Sequence, residues 1–261
     1  MTILDQLAEH ARERVEAAKE RLPLKELKKM ALACPKRADF PFERAMRKPG
    51  ISLICECKKA SPSKGLIAPD FPYLEIARQY EAAGADAISV LTEPKWFMGK
   101  DAYLKEIAGL VKTPCLRKDF TVDEYMIYEA KVLGAAAVLL ICSILAEGQL
   151  KEFLGLCHEL ELSALVEIHD EAEAAMALRA GATIVGVNNR NLKDFSIDQG
   201  NCLRLKDKIP REVLFIAESG VTCTEDVKAL ERIGADGVLV GETLMRAADK
   251  GAKLKELRGR P

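Results

Sequence analysis

Glu56, Lys58, Lys118 and Glu167 each stand at the end of a short apolar run, at residues 52–58, 114–118 and 163–167. Alternation along an extended strand puts Glu56 and Lys58 on one face of theirs. Two ammonium groups and two carboxylates drawn to a common mouth make a general acid–base set, with pKa values displaced and coupled by mutual charge. Taken singly, each such residue reads as readily as a salt bridge knitting a rim. Four of them at three strand ends argue for chemistry. Further polar residues close other runs: Asn188-Asn189-Arg190, Glu218-Ser219-Gly220 and Val240-Gly241-Glu242.

These groups meet only if the runs lie side by side, and the spacing of the chain says how. Four echoes recur, Gly84-Ala85-Asp86, Gly134-Ala135-Ala136, Gly181-Ala182-Thr183 and Gly234-Ala235-Asp236, at intervals of 50, 47 and 53 residues. Each follows a helix-like stretch, where glycine is the usual left-handed stop. Each precedes an apolar run, at 87–91, 137–141, 184–187 and 237–240. A βαβ unit needs only about 30 residues, so every interval holds two strands and two helices. The other strands fall at 52–58, 114–118, 163–167 and 213–218, which makes eight. The runs are nearly continuous in apolar residues, as in parallel strands covered on both faces. Eight evenly spaced units predict a closed (β/α)8 barrel, the TIM barrel, over a doubly wound sheet. Helix starts in capping-box form are expected at Thr121, Asp170 and Thr222.

Residues 1–50 fall outside the repeat and read as an N-terminal helical extension of about 50 residues, within a single domain spanning 1–261. Its two helices are expected at 3–22 and 24–33, broken by Pro23 and stopped by Cys34-Pro35. On this pattern alone the extension is a structural plug or an oligomer contact.

In such a barrel the chemistry belongs at the C-terminal strand ends, and phosphate commonly sits on the loops after the seventh and eighth strands. Here those loops are Ser219-Gly220-Val221 and Gly241-Glu242-Thr243, whose glycines let the backbone approach an anion. The segment from Lys59 to Gly65 adds Ser61, Ser63 and two lysines, or is an ordinary flexible loop. Phe97, Phe120 and Leu139, near the second, third and fourth strands, offer an apolar wall for an aromatic substrate, or simply pack under loops.

Bulk composition narrows the function classes. Lys and Arg total 39 against 40 Asp and Glu, so no basic excess points to nucleic acid or an anionic membrane. A small anion must then be held by local geometry. The start of the chain carries Asp5 and Glu9 and has the character of neither a signal peptide nor an anchor. The eight cysteines are scattered without a C-x-x-C pair, as expected of small buried hydrophobes in a reducing cytoplasm. No metal site is expected.

The sequence resembles the indole-3-glycerol-phosphate synthase family from the N-terminal helices to about Met245. The motifs that carry the likeness are Glu56-Cys57-Lys58-Lys59-Ala60-Ser61-Pro62-Ser63, Leu91-Thr92-Glu93, Lys118-Asp119-Phe120, Glu167-Ile168-His169, the stretch from Gly186 to Leu192, and Ala217-Glu218-Ser219-Gly220-Val221. The resemblance implies ring closure, decarboxylation and dehydration of a carboxyphenylamino-deoxyribulose phosphate, without a cofactor, and an extension packed over the catalytic end. It implies that Lys118 is the general acid and that Glu167 and Lys58 serve the dehydration, with Glu56 orienting and charging Lys58. It further implies that Asn188 and Arg190 position the substrate, that Ser219 helps place its hydroxyls, and that Ser61, Gly220 and Gly241 line the phosphate site. Glu242 departs from the family, where a small residue such as serine often stands. It would repel a phosphate if it faced one, so its backbone N–H is expected to serve while the carboxylate turns outward to a helix N-terminus.

Two rival readings remain. A phosphoribosylanthranilate isomerase would share the phosphate loops but neither the Glu56/Lys58 set with Lys118 and Glu167 nor the extension. A non-catalytic barrel binding a sugar phosphate or a protein should have lost a catalytic group, and none is missing. The expected partner is a phosphorylated small molecule, not nucleic acid or membrane, and both a monomer and a weak homodimer stay open.

Overall fold

The computed structural model describes residues 2–36, 39–190, 196–198 and 200–259. Eight parallel strands close into a barrel: β1 (Ser52–Cys57), β2 (Ala87–Leu91), β3 (Cys115–Lys118), β4 (Ala137–Ile141), β5 (Ser163–Ile168), β6 (Ile184–Asn188), β7 (Leu214–Glu218) and β8 (Gly237–Val240). Each pairs with its chain neighbours, and closure comes from β1, which pairs with both β2 and β8. Every strand position is buried except Lys118 at the very end of β3. Burial from both sides is why the strands read as unbroken apolar runs rather than alternating ones. Six of the eight cysteines are buried and all are free thiols, Cys34 and Cys223 being half-buried.

The helices alternate with the strands. They are α4 (Tyr73–Ala82), α5 (Asp101–Leu110), α6 (Glu124–Val132), α7 (Glu147–Glu159), α8 (Glu171–Ala180), α9 (Gly200–Lys206), α10 (Thr224–Arg232), α11 (Glu242–Arg246) and α12 (Lys250–Leu257). The recurring glycines after α4, α6, α8 and α10 all take positive φ, between 80° and 95°. That conformation frees each chain to turn into the next strand.

The helix starts differ in detail from the expected capping boxes. Asp170 caps α8 as expected, its carboxylate accepting from the Glu173 N–H at 2.9 Å. Asp123 rather than Thr121 caps α6, accepting from Tyr125 at 2.8 Å. At α10 the cap position falls to Cys223, and Asp226 accepts from the backbone N–H groups of Thr222 and Cys223. Both segments hold cap-competent residues in tandem. At α6 the Asp123 carboxylate near the positive helix end prevails over the Thr121 hydroxyl, and at α10 the Asp226 carboxylate serves from inside the first turn.

Three helices precede β1: α1 (Ile3–Arg21), α2 (Leu24–Ala33) and α3 (Pro41–Met46). Helix α1 opens on a complete capping box between Thr2 and Asp5 and buries Leu7, Ala8, Ala11 and Val15. Ion pairs fasten this segment to the barrel. Arg14 grips Asp119 through two bonds of 2.6 and 3.1 Å, Lys19 reaches Asp123 and Lys28 reaches Glu124.

Helix α3 was not apparent in the sequence because it is too short to declare a periodicity. Its Phe42, Ala45 and Met46 are buried. The Glu43 N–H donates to Ser163 Oγ and the Ala45 carbonyl accepts from Ser52 Oγ, so α3 closes the N-terminal end of the barrel. Among the described residues, no helix is long and apolar enough to cross a membrane.

Phe42 has no exposed surface, and Phe42→Ala should cost about 3–5 kcal/mol of stability by opening a cavity. Urea unfolding monitored by circular dichroism checks this. A midpoint unchanged from the parent would mean that α3 does not seal the barrel.

Candidate active site

The C-terminal strand ends surround a cavity of about 480 Å³. It is lined by the loops after β1, β2, β6, β7 and β8, and Ile3, Leu4 and Leu7 of α1 form one apolar side. Every residue that the sequence proposes for the site lies on its wall, from Glu56, Lys58 and Ser61 to Gly220, Gly241 and Glu242. Within the family motifs, Asn191 and Leu192 lie outside the described residues.

At the centre stands Lys118, delivered by the last position of β3. Its Nζ is 3.1 Å from Glu167 Oε2 and 3.3 Å from Glu218 Oε2. Glu167 is the penultimate residue of β5, and Glu218 is the last residue of β7. Lys58 Nζ lies 2.7 Å from Glu56 Oε1, and the other oxygen of Glu56 accepts from Ser89 Oγ at 3.4 Å. Asn188 organises the opposite side. Its Nδ2 donates to Glu167 Oε1 at 3.2 Å, while its Oδ1 accepts from the Arg190 N–H and from Ser219 Oγ, each at 3.0 Å. Asn188 and Ser219 therefore hold each other and Glu167.

Burial and charge displace these groups in opposite directions. Burial by itself would lower the Lys118 pKa, but Glu167, Glu218 and Glu56 outweigh it and raise the value, so the ammonium is firmly protonated at neutral pH. Burial would raise Glu167, yet Lys118, His169 and the Asn188 amide hold it below the usual carboxylate value. Glu218 goes the other way, pushed up to about 7 by burial and by the nearby charges of Glu167 and Glu56, against the pull of Lys118. One lysine thus sits between an ionised carboxylate and one that titrates near neutrality. Divergent carboxylates around a proton donor are the usual arrangement of acid–base chemistry.

Glu218, like Arg246, is a charged cavity residue that sequence reasoning left out of the site. The signal was available, since it occupies the strand end of β7 as Glu167 does that of β5. Two glycines make the arrangement sterically feasible. A Cβ on Gly186 would fall 2.2 Å from Glu218 Oε1, and one on Gly241 would fall 2.3 Å from Glu56 Oε1 and 2.9 Å from Lys58 Nζ. Gly241, expected only as an anion-loop glycine, therefore also leaves space for the Glu56–Lys58 pair.

At the far end of the cavity the loops after β7 and β8 are tied together by Thr243 Oγ1 donating to the Val221 carbonyl at 2.6 Å. Ser219 and Gly220 both take positive φ, 70° and 91°, which turns the chain sharply at the cavity wall. The loop after β1 is an antiparallel hairpin, Ala60–Ser61 with Gly65–Leu66, rather than a plain surface loop. It brings Ser61 and Lys64 to the same end.

Glu242 is the first residue of α11, so its carboxylate lies in that helix's first turn, as expected, and it also meets two cations that the sequence did not suggest. It accepts from Arg246 Nε at 3.0 Å and lies 3.9 Å from Lys64 Nζ. Both cations line the cavity, and the charge-assisted bond from Arg246 adds to what the helix end supplies.

The rings of Phe97 and Phe120 lie 6.1 Å apart, and both residues and Leu139 line the cavity. The motif residues Thr92, Glu93 and Asp119 frame the rings. Thr92 Oγ1 donates to Asp119 at 2.5 Å, and Glu93 accepts from the N–H groups of Lys95, Trp96 and Phe97. Asp119 is the carboxylate gripped by Arg14 of α1, so that helix is linked to the residue beside Lys118.

The family model described as indole-3-glycerol phosphate synthase matches residues 4–257. A protein of that name from Ruminiclostridium cellulolyticum is 51% identical over 98% of this chain and 99% of its own length. Another, from Lachnoclostridium phytofermentans, is 48% identical over 98% of both chains. Among solved structures, 3-hexulose-6-phosphate synthase from Salmonella typhimurium superposes with a TM-score of 0.66 at 15% identity, covering 80% of this chain and 97% of that one. Thiamine phosphate pyrophosphorylase from Pyrococcus furiosus gives 0.61 at 16% identity, covering 80% and 94%. At such identities these structures speak for the barrel fold alone.

Two substitutions test the geometry. Gly241→Ala should displace the Glu56–Lys58 pair and cut kcat on the order of 100-fold, with the urea midpoint little changed; a parental rate would mean the pair tolerates displacement. For Glu218, the raised folded-state value means that its contribution to stability is full below its ordinary value of 4.5 and is lost as pH rises through about 7. Glu218→Gln removes that dependence, so the variant should gain stability relative to the parent as pH rises from about 5 to about 8. Denaturant midpoints of parent and variant that move in parallel over that range would contradict the raised value.

Proposed function

The chain belongs to the indole-3-glycerol phosphate synthase family, carboxy-lyases of tryptophan biosynthesis, and on that premise we propose which residues perform the reaction here. The substrate is 1-(2-carboxyphenylamino)-1-deoxyribulose 5-phosphate, and the products are indole-3-glycerol phosphate, carbon dioxide and water. The observation that carries the assignment is the Lys118 ammonium held between Glu167 and Glu218 at the barrel mouth.

Lys118 protonates the ribulose carbonyl oxygen as the aryl carbon that bears the carboxylate attacks the ketone carbon. A buried, fully charged ammonium stabilises the oxygen charge that develops in this step. Departure of carbon dioxide returns a bonding pair to the ring. Dehydration follows, with Lys58 supplying the proton that lets the hydroxyl leave and Glu167 taking the proton from the carbon beside nitrogen. Glu56, 2.7 Å from Lys58, keeps that lysine oriented and charged. Glu218 shares the Lys118 proton and sets how readily it moves.

The phosphate binds at the Ser61, Gly220 and Gly241 end, where Lys64 and Arg246 supply positive charge. Binding it there holds the flexible ribulose chain and reduces the entropy lost at the reacting carbon. The aryl ring lies against Phe97, Phe120 and Leu139, and Arg190 and Ser219 position the polyol. The extension of about 50 residues acts as a cover of one barrel domain rather than a separate unit, since Ile3, Leu4 and Leu7 reach the cavity wall.

Mixing the purified chain with the substrate, with chelator and no added cofactor, should yield indole absorbance and fluorescence. No product from folded protein that still binds the substrate would overturn the assignment. Lys118→Ala should lower kcat by about 100-fold or more while phosphate binding persists. Glu167→Gln should let the ring-closed, decarboxylated alcohol accumulate ahead of indole, as rapid-quench sampling would detect.

A further inference from the structure

The reaction proposed above is short of one proton in every cycle. At neutral pH the substrate carboxylate is ionised. Ring closure joins the aryl carbon to the ketone carbon, and the carbonyl π pair moves to oxygen, which takes one proton. The bond to the carboxylate then breaks, its pair rebuilds the aromatic ring, and carbon dioxide leaves. The hydroxyl departs as water with a second proton, and the carbon beside nitrogen releases one as the indole double bond forms. Two protons enter and one returns, so the site must draw one from solvent per turnover. Glu167 is only 2% exposed, and the substrate fills the cavity side during the cycle.

A chain of groups leads from Glu167 away from the cavity. His169 follows β5, and its Nε2 lies 3.4 Å from Glu167 Oε1, the oxygen not used by Lys118. Its Nδ1 is 3.2 Å from Glu173 Oε2 and 3.3 Å from Ser143 Oγ. The Ser143 hydroxyl in turn donates to Glu173 Oε1, and the His169 N–H donates to Glu173 Oε2 at 2.7 Å. The ring is thus wedged between two carboxylates, one on the cavity wall and one in the first turn of α8. The side chains of His169 and Glu173 are each 18% exposed, and neither belongs to the described cavity lining.

We propose that His169 is a positioning residue that relays protons from Glu173 at the outer surface to Glu167 and through it to Lys118, so that the proton Glu167 takes from carbon is left to recharge Lys58 across the shared cavity. This rests on the role given to Glu167 above. The groups that face His169 suit it to carrying a proton. They are Glu167 from β5, Glu173 from α8, Glu218 from β7, and Ser143 from the turn after β4. Asn201 of α9 steadies the loop by donating its Nδ2 to the His169 carbonyl at 3.2 Å. Burial by itself would lower the imidazole pKa, but Glu173, Glu167 and Glu218 outweigh it and raise it above the ordinary histidine value.

The test compares His169→Gln, Glu173→Gln and Glu167→Gln in the full chain, by steady-state and single-turnover rates across pH, with and without added imidazole. The first turnover runs on protons already in place, and only later ones need delivery. His169→Gln should therefore leave the single-turnover rate near parental and lower kcat by about 10- to 100-fold, at or below the lower end of what a positioned proton donor contributes. KM should change little, the alkaline fall in kcat that follows His169 deprotonation should disappear, and imidazole should restore part of the rate. Glu173→Gln keeps an acceptor for the His169 N–H and should give the same pattern more weakly, which preserves the test if His169→Gln folds poorly. Equal losses in both rates, deaf to imidazole, would make His169 a structural strut and overturn the relay. So would a parental kcat and pH profile in His169→Gln while Glu167→Gln is slow. If Glu167→Gln itself turned over at the parental rate, the role of Glu167 would fall first.

Discussion

The burial of the Lys118 ammonium between Glu167 and Glu218 is the interaction on which the rest of this structure depends. Removing an ammonium from water costs several kcal/mol, and only close, well-oriented carboxylates offset that cost. Two carboxylates together would repel one another without the cation. The three groups consequently define one another's protonation: the lysine stays charged, Glu167 stays ionised and Glu218 is driven toward neutrality. A site balanced in this way can release a proton to a developing alkoxide and recover one nearby.

Much of the surrounding fold can be understood as support for that arrangement. Parallel closure points all eight strand ends the same way, so β3, β5 and β7 bring the lysine and its partners to one mouth. Gly186 and Gly241 leave the space that Glu218 and Glu56 occupy. Asn188 directs its hydrogen bonds to Glu167, Ser219 and the Arg190 backbone, which locks the acceptor side. Helix α1 reaches the residue next to Lys118 through Arg14 and Asp119, and it also contributes apolar side chains to the cavity. Covering the cavity and holding the residue beside Lys118 are therefore mechanically joined.

Charge is handled locally throughout. With acids and bases nearly equal in number, the protein as a whole has little field with which to attract an anion. Lys64 and Arg246 instead stand together on the cavity wall, each beside Glu242. His169 lies behind the opposite end of the cavity, shared between two carboxylates. Cations bracketed by acids recur at each point where charge must arrive or leave.

The barrel was legible in the sequence because its signals are local. Glycine stops, strand-forming apolar runs and their regular spacing each depend on neighbouring residues, and so do the bounds of β2, β4 and β8. The candidate residues at strand ends followed from the same logic, because parallel closure gathers whatever stands there. Short α3 was missed, having too few residues to display a period, and tandem cap residues put two helix starts early, at Thr121 and Thr222 instead of Asp123 and Cys223. Only the tertiary structure decided who partners whom: that Glu218 joins Lys118, that His169 turns toward Glu167 and Glu173, and that Glu242 meets Arg246 and Lys64. Those outcomes depend on rotamers chosen by the space and charge that distant strands bring together, and a linear pattern of residue types carries no record of either.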